Sequence, residues 1–182
     1  TFSSVITVAD LFLGCSSLMS VRLPNFGPKL EKMYRMFGGC SSLSFIDLSK
    51  SNINNVEDMS YIFDGCSSLT SINFGNIKTH KVKEMGYMFN DCQSMVSINI
   101  SGFNTENVTS MEYMFNGCSS LTNIDVSNFN TNKVKSMENM FSGCSKLCLI
   151  DLYNFNTNSV INMNHMFFDC LQLIYIDISN CL

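Results

Sequence analysis

An α/β solenoid, coiled right-handed through seven turns that each hold one short strand and one short helical segment, is the fold class this sequence predicts. Three observations predict it. Cysteine recurs at one phase, as Cys15, Cys40, Cys66, Cys92, Cys118, Cys144 and Cys170, with a first gap of 25 residues and five gaps of 26. A fixed period in this range marks stacked supersecondary units. Apolar residues before each cysteine follow helical spacings, and those after it follow a strand period. The repeats run through residues 1–182 as a single domain, and each is named below by its cysteine.

The segment before the cysteine comes first. Phe stands three residues before every ladder cysteine, as in Phe37, Phe89 and Phe115. Four before it stand Leu11, Met36, Ile62, Met88, Met114, Met140 and Met166, and seven before it Val8, Met33, Met59, Met85, Met111, Met137 and Met163. Steps of three and four share one face of an α-helix, and steps of three also suit a 3₁₀ turn. One to two helical turns per repeat are expected. Thr109 followed by Glu112 reads as a capping box for one of them.

The segment after the cysteine is a strand. Leu121, Ile124 and Val126 follow Cys118 by three, six and eight residues, and the last two alternate around Asp125. Leu43, Ile46, Leu48 and Leu147, Ile150, Leu152 fill the same columns. Stacking these strands gives a parallel sheet on one face with ~4.8 Å between neighbours, so seven make a rod or shallow arc roughly 34 Å long. A leucine-rich-repeat coil has this Leu-x-x-Ile-x-Leu strand.

The run Phe103-Asn104-Thr105-Glu106-Asn107-Val108-Thr109-Ser110-Met111-Glu112-Tyr113-Met114-Phe115-Asn116-Gly117-Cys118-Ser119-Ser120-Leu121 resembles the BspA-like leucine-rich repeats of microbial surface proteins. It is most similar to their 26-residue subtype with a Met-x-x-Met-Phe core, and the likeness recurs in every repeat. The subtype has Phe-Asp-Thr where this chain has Phe-Asn-Thr at Phe103, Phe129 and Phe155, and Leu23-Pro24 is closer to a sister subtype. The resemblance implies a secreted or cell-surface protein used in adhesion, with no catalytic residues to carry over.

Composition narrows the function. The net charge is −4 and only 14% of residues are charged. Nucleic-acid binders carry a basic footprint, which is missing here. No apolar run reaches the length of a membrane span, so no direct membrane insertion is expected. No His, carboxylate and nucleophile stand at unique positions against the repeat background, so no enzyme, catalytic residue or cofactor is expected. The chain has no Cys-x-x-Cys and its histidines are His80 and His165, so no metal site is expected either. The ladder cysteines read as buried free thiols acting as small apolar residues. Stacked equivalents point the same way, which suits a disulfide badly. Cys148 is expected on the outer sheet face, and Cys181 in the apolar column of Phe103, Phe129 and Phe155. The methionine columns read as core filling rather than a soft-metal ladder.

Function is left to the repeated surface. Strand residues pointing away from the core lie five, seven and nine after each cysteine. Ser and Asn dominate the middle repeats, while Asp125, Asp151 and Asp177 stack on adjacent repeats. Like charges so placed favour a cation or a basic partner, although further oxygen ligands for calcium are not evident. Cys148, Leu149, Tyr153, Ile174 and Tyr175 bring apolar and aromatic groups to the same face, and such patches mark interfaces. Leu149, Tyr153, Ile174, Tyr175, Asp125, Asp151 and Asp177 are therefore the candidate partner-binding residues, for a protein or another surface ligand. Leu13 and Phe168 replace residues such as Gly38, Asp64 and Asn116 only in the terminal repeats, and are candidates for end-to-end contact between copies. Neither end shows a polar capping turn, so the chain reads as part of a longer array or as a unit that stacks on itself. Asn99 and Asn107 match the N-glycosylation acceptor pattern. The function expected is a non-enzymatic extracellular or cell-surface interaction and adhesion module; the alternative is a protomer that polymerises into a filament by end-to-end stacking.

Overall fold

The computed structural model describes residues 2–181. Its short strands are β1 (Phe45–Asp47), β2 (Ser71–Asn73), β3 (Leu149–Asp151) and β4 (Tyr175–Asp177). β1 pairs with β2 in parallel, Ile46 opposite Ile72, and β3 pairs with β4, Ile150 opposite Ile176. The expected continuous sheet is thus two separate pairs.

A second, uninterrupted ladder lies eight residues before each cysteine. Parallel bridges link Thr7 to Lys32, Lys32 to Asp58, and so on through Glu84, Ser110 and Ser136 to Asn162. The expected helical turns are absent: among the described residues there is no helix, only successive tight turns. The backbone explains the difference. The residue five before each cysteine has left-handed φ, at +48° for Arg35, +58° for Tyr61, +59° for Tyr87 and +54° for Tyr113. A left-handed residue ends an α-helix, so the chain takes another way to satisfy its amides.

That way is alternation. In the Cys118 repeat the N–H groups of Met111, Tyr113, Phe115 and Gly117 donate to Ser136, Glu138, Met140 and Ser142 of the next repeat, at 3.0, 2.8, 2.9 and 2.7 Å. The intervening N–H groups of Met114, Asn116 and Cys118 donate back three residues within their own repeat, at 3.3, 3.1 and 3.2 Å. The three-residue spacing in the sequence is therefore real, but it belongs to a string of turns. Thr109 does not cap a helix either: its Oγ1 donates to the Lys83 carbonyl and Glu84 Oε1, while the Glu112 N–H donates to Ser110 Oγ. The residue just before the cysteine is also left-handed, at +69° in Gly117 and +72° in Gly143, where glycine bears no steric cost.

The core is one cluster running from Val8 to Met166. Phe12, Phe37, Phe63, Phe89, Phe115, Phe141 and Phe167 form an unbroken stack with centroids 5.3–5.8 Å apart and planes within 14°. Beside them each ladder thiol from Cys40 onward donates to the phenylalanine carbonyl of the preceding repeat, Cys66 to Phe37 at 3.1 Å and Cys118 to Phe89 at 3.2 Å. All the cysteines are free thiols. Cys40, Cys66, Cys92, Cys118 and Cys144 are buried, as expected. Cys15 is exposed and Cys170 half-buried, because no described repeat packs on their outer sides. Leu11 and Met163 are exposed for the same reason.

The Phe-Asn-Thr motif has its own ladder. Buried Thr105 donates its hydroxyl to the Asn130 carbonyl at 3.0 Å and accepts the Asn130 N–H at 2.7 Å. Thr79 and Thr131 repeat this pair of bonds with Asn104 and Asn156. Asn104 and Asn130 use their own Oδ1 to accept the N–H two residues on, an Asx turn that fixes the chain after each phenylalanine.

Candidate interaction surface

Strand alternation sets this surface. In β3 and β4 the central Ile150 and Ile176 turn inward, while Leu149 and Asp151, Tyr175 and Asp177 turn outward. Parallel register places Leu149 beside Tyr175 and Asp151 beside Asp177. The Ile174 N–H donates to the Cys148 carbonyl at 2.9 Å, extending the contact beyond the strands. Leu149, Tyr153 and Tyr175 are each more than half exposed, and Ile174 is 85% exposed. Cys148 is half-buried on the same side, its thiol directed to the Lys146 carbonyl at 3.5 Å. Ile178, 51% exposed, belongs instead to the inward column filled by buried Leu48, Val126 and Leu152, and it is open because no described repeat packs on its outer side.

The carboxylates bound the patch and help to build it. Asp125 Oδ1 accepts the Ser127 N–H at 2.9 Å, and Asp151 Oδ1 accepts the Tyr153 N–H at 2.8 Å. Asp177 Oδ1 accepts both the N–H and the hydroxyl of Ser179. Each aspartate thus pins the loop that leaves its strand, and Asp151 does so at Tyr153 itself. The Ser127 hydroxyl and N–H hold Asp125 below the usual carboxylate range, and the Ser179 N–H and hydroxyl do the same for Asp177. Among the described residues no group of three or more His, Cys, Asp or Glu side chains is placed to hold a metal ion.

Other candidate residues lie apart from this patch. Leu13 and Phe168 sit at opposite ends of the stack, 45% and 56% exposed. Asn99 is exposed, with its Oδ1 accepting the N–H and hydroxyl of Ser101. Asn107 is engaged on both atoms: its amide nitrogen donates to the His80 carbonyl at 2.8 Å and its oxygen accepts Lys133 Nζ at 2.6 Å. That nitrogen is less free for a glycan than the sequence pattern implies. A tyrosine stack is the feature the sequence reading missed. Tyr61, Tyr87 and Tyr113 lie face to face at 4.4 and 4.5 Å, and Tyr34 meets Tyr61 edge-on beneath Arg35. Burial and the neighbouring tyrosines push the Tyr87 hydroxyl up to about 12. The spacing of 26 between these tyrosines was the available signal.

The family model described as Mycoplasma protein of unknown function, DUF285, matches three overlapping stretches, residues 2–98, 31–149 and 95–180. Among solved structures, a leucine-rich repeat protein from Bacteroides ovatus ATCC 8483 is 24% identical, with 82% of this chain and 41% of that chain covered and a TM-score of 0.47. A T. pallidum leucine rich repeat protein is 20% identical over 83% of this chain and 76% of that one, with a TM-score of 0.47. A leucine rich cell surface protein from Faecalibacterium prausnitzii A2-165 is 16% identical over 92% and 62%, with a TM-score of 0.36. This chain therefore spans less than half the length of the Bacteroides protein. No curated protein matches the sequence. Among the described residues no helix is long and apolar enough to cross a membrane.

Proposed function

The chain belongs to the DUF285 family, and we propose that it is a non-enzymatic interaction module, displayed extracellularly or at a cell surface, that adheres to a protein or another surface ligand. The observation that carries the reading is the cluster of Leu149, Tyr153, Ile174 and Tyr175, exposed together on and beside a parallel strand pair and edged by Asp125, Asp151 and Asp177. Tyrosine anchors within apolar surroundings supply binding energy at small conformational cost. Ionised carboxylates at the rim favour a basic partner and speed its approach. Surface display and adhesion rest on the resemblance to BspA-like repeats.

The test uses the whole chain on a biosensor against immobilised fibronectin, laminin and collagen. Tyr153→Ser combined with Tyr175→Ser should weaken whichever interaction the parent shows by at least ~2 kcal/mol, the hot-spot scale, or about thirtyfold. Its melting curve should stay close to that of the parent, since both side chains are exposed. Equal binding by parent and double variant rules out the patch as the contact.

A further inference from the structure

Three successive junctions between interior repeats lack one rung of the outer ladder. Where strands pair, the N–H eight residues after the cysteine donates to the next repeat: Leu48 to the Asn73 carbonyl at 2.8 Å, and Leu152 to the Asp177 carbonyl at 2.9 Å. The equivalent N–H groups of Phe74, Ile100 and Val126 have no acceptor among the described residues. At two of these junctions an asparagine ten residues after the cysteine bridges the loops instead. Asn128 Nδ2 donates to the carbonyls of Ile100, Ser101 and Phe103 at 3.2, 3.4 and 2.8 Å, and Asn154 Nδ2 to that of Ser127 at 3.0 Å. The junction between the Cys66 and Cys92 repeats has Gly102 at that position. A Cβ there would face the Cys66 loop, 3.2 Å from Ile77 Cγ2 and 3.5 Å from the Ile77 oxygen. The carbonyls that an amide bridges in the following repeats are present here, and the amide is not.

The unbridged junction is a cleft of about 440 Å³, within the range of small-ligand sites. The carbonyls of Phe74, Gly75 and Ile77, equivalents of the three that Asn128 holds, accept no hydrogen bond among the described residues, and neither does that of Asn99. Donors line the same cleft. Asn73 Oδ1 accepts the Gly75 N–H at 3.1 Å, and Asn99 Oδ1 accepts the Ser101 N–H at 3.1 Å and its hydroxyl at 2.8 Å. These bonds fix the orientation of both amides and leave each Nδ2 as a donor for an outside acceptor. Ile72 and Ile77 supply apolar wall, no carboxylate lines the cleft, and Lys78 is its one charged residue. Phe74 anchors the loop, packed edge-on against Phe89 and Phe103 with centroids 6.5 and 5.1 Å away.

We infer that the cleft between the Cys66 and Cys92 repeats binds a pyranose sugar, the terminal unit of a glycan. A hydroxyl donates one hydrogen bond and accepts two, so neighbouring sugar hydroxyls meet carbonyls and amide N–H groups at once. An anion would serve only the donors, and a cation only the carbonyls. The C–H face of the ring covers Ile72 and Ile77, which are otherwise the apolar part of the wall. The cleft is distinct from the Leu149 and Tyr175 patch, which lies in the Cys144 and Cys170 repeats.

Saturation-transfer NMR and calorimetry test this, using the whole chain made without glycosylation and the methyl glycosides of galactose, glucose, mannose and N-acetylglucosamine. At least one should bind with a millimolar Kd. Gly102→Asn restores the bridge that the next repeat uses, and should weaken that binding at least tenfold without lowering the melting temperature. Asn99→Asp keeps the Oδ1 that holds Ser101, as Asp125 holds Ser127, but removes the donor; it should weaken binding at least threefold. Tyr153→Ser with Tyr175→Ser should bind the sugar as the parent does. A parent that binds none of the four at tens of millimolar overturns the inference. Equal binding by the parent and Gly102→Asn, or loss of binding in the tyrosine double variant, places the sugar elsewhere and overturns it too. Asn99→Asp decides the matter where Gly102→Asn folds poorly.

Discussion

Truncating one ring of the phenylalanine stack measures how far neighbouring repeats depend on each other. Phe115 has no exposed surface and lies between Phe89 and Phe141, with centroids 5.3 and 5.6 Å away. Phe115→Ala removes a buried ring, which costs about 3–5 kcal/mol where the cavity cannot collapse. Collapse is opposed here because both neighbouring rings are held by their own inter-repeat bonds: the Phe89 N–H donates to Met114, and the Phe141 N–H to Met166. The same change at Phe167, half-buried with a ring on one side only, should cost about half as much. Glu112→Ala, half-buried in the Phe115 repeat, should stay within about 0.5 kcal/mol. Urea unfolding followed by circular dichroism gives all three values. If Phe115→Ala unfolds with Glu112→Ala, or if Phe167→Ala costs as much as Phe115→Ala, the stack is not the spine of the core.

Three further outcomes are expected. Maleimide at neutral pH should label Cys15 and Cys148 rapidly and Cys92 and Cys118 hardly at all, since burial drives both ladder thiols up, Cys118 to about 12; rapid native labelling of Cys118, read by mass spectrometry, contradicts this. Thr105→Val keeps the shape but leaves the Asn130 N–H and carbonyl without their hydroxyl partner, and should cost about 1–3 kcal/mol in denaturant unfolding; an unchanged midpoint contradicts it. Burial holds the Asp64 carboxyl above the usual range, so ionising it opposes folding, and stability from this group falls as pH rises through its folded value. Asp64→Asn should therefore raise the melting temperature at neutral pH, with the gain shrinking once the parent's Asp64 is protonated in acid; an equal gain at both pH values assigns the effect to something other than charge.

Periodicity made most of the fold legible, and conformation was where it failed. The cysteine, phenylalanine and methionine columns lie in the core where spacing placed them, because burial follows directly from side-chain chemistry repeated at one phase. The helical reading failed because steps of three are shared by helices and by chained turns. Only a left-handed residue distinguishes the two, and Arg35, Tyr61 and Asn139 gave no warning of one. The outer patch was legible from alternation at Leu149, Tyr153 and Tyr175.

Amide hydrogen exchange at dilution, resolved by residue, tests the stacked-turn account most directly. The N–H groups of Met111, Tyr113, Phe115 and Gly117 should be strongly protected, because each donates to the next repeat. Their equivalents Met163, His165, Phe167 and Asp169, which have no acceptor among the described residues, should exchange quickly in the same chain. Rapid exchange at Tyr113 and Phe115, or protection in the last repeat equal to theirs, would contradict it.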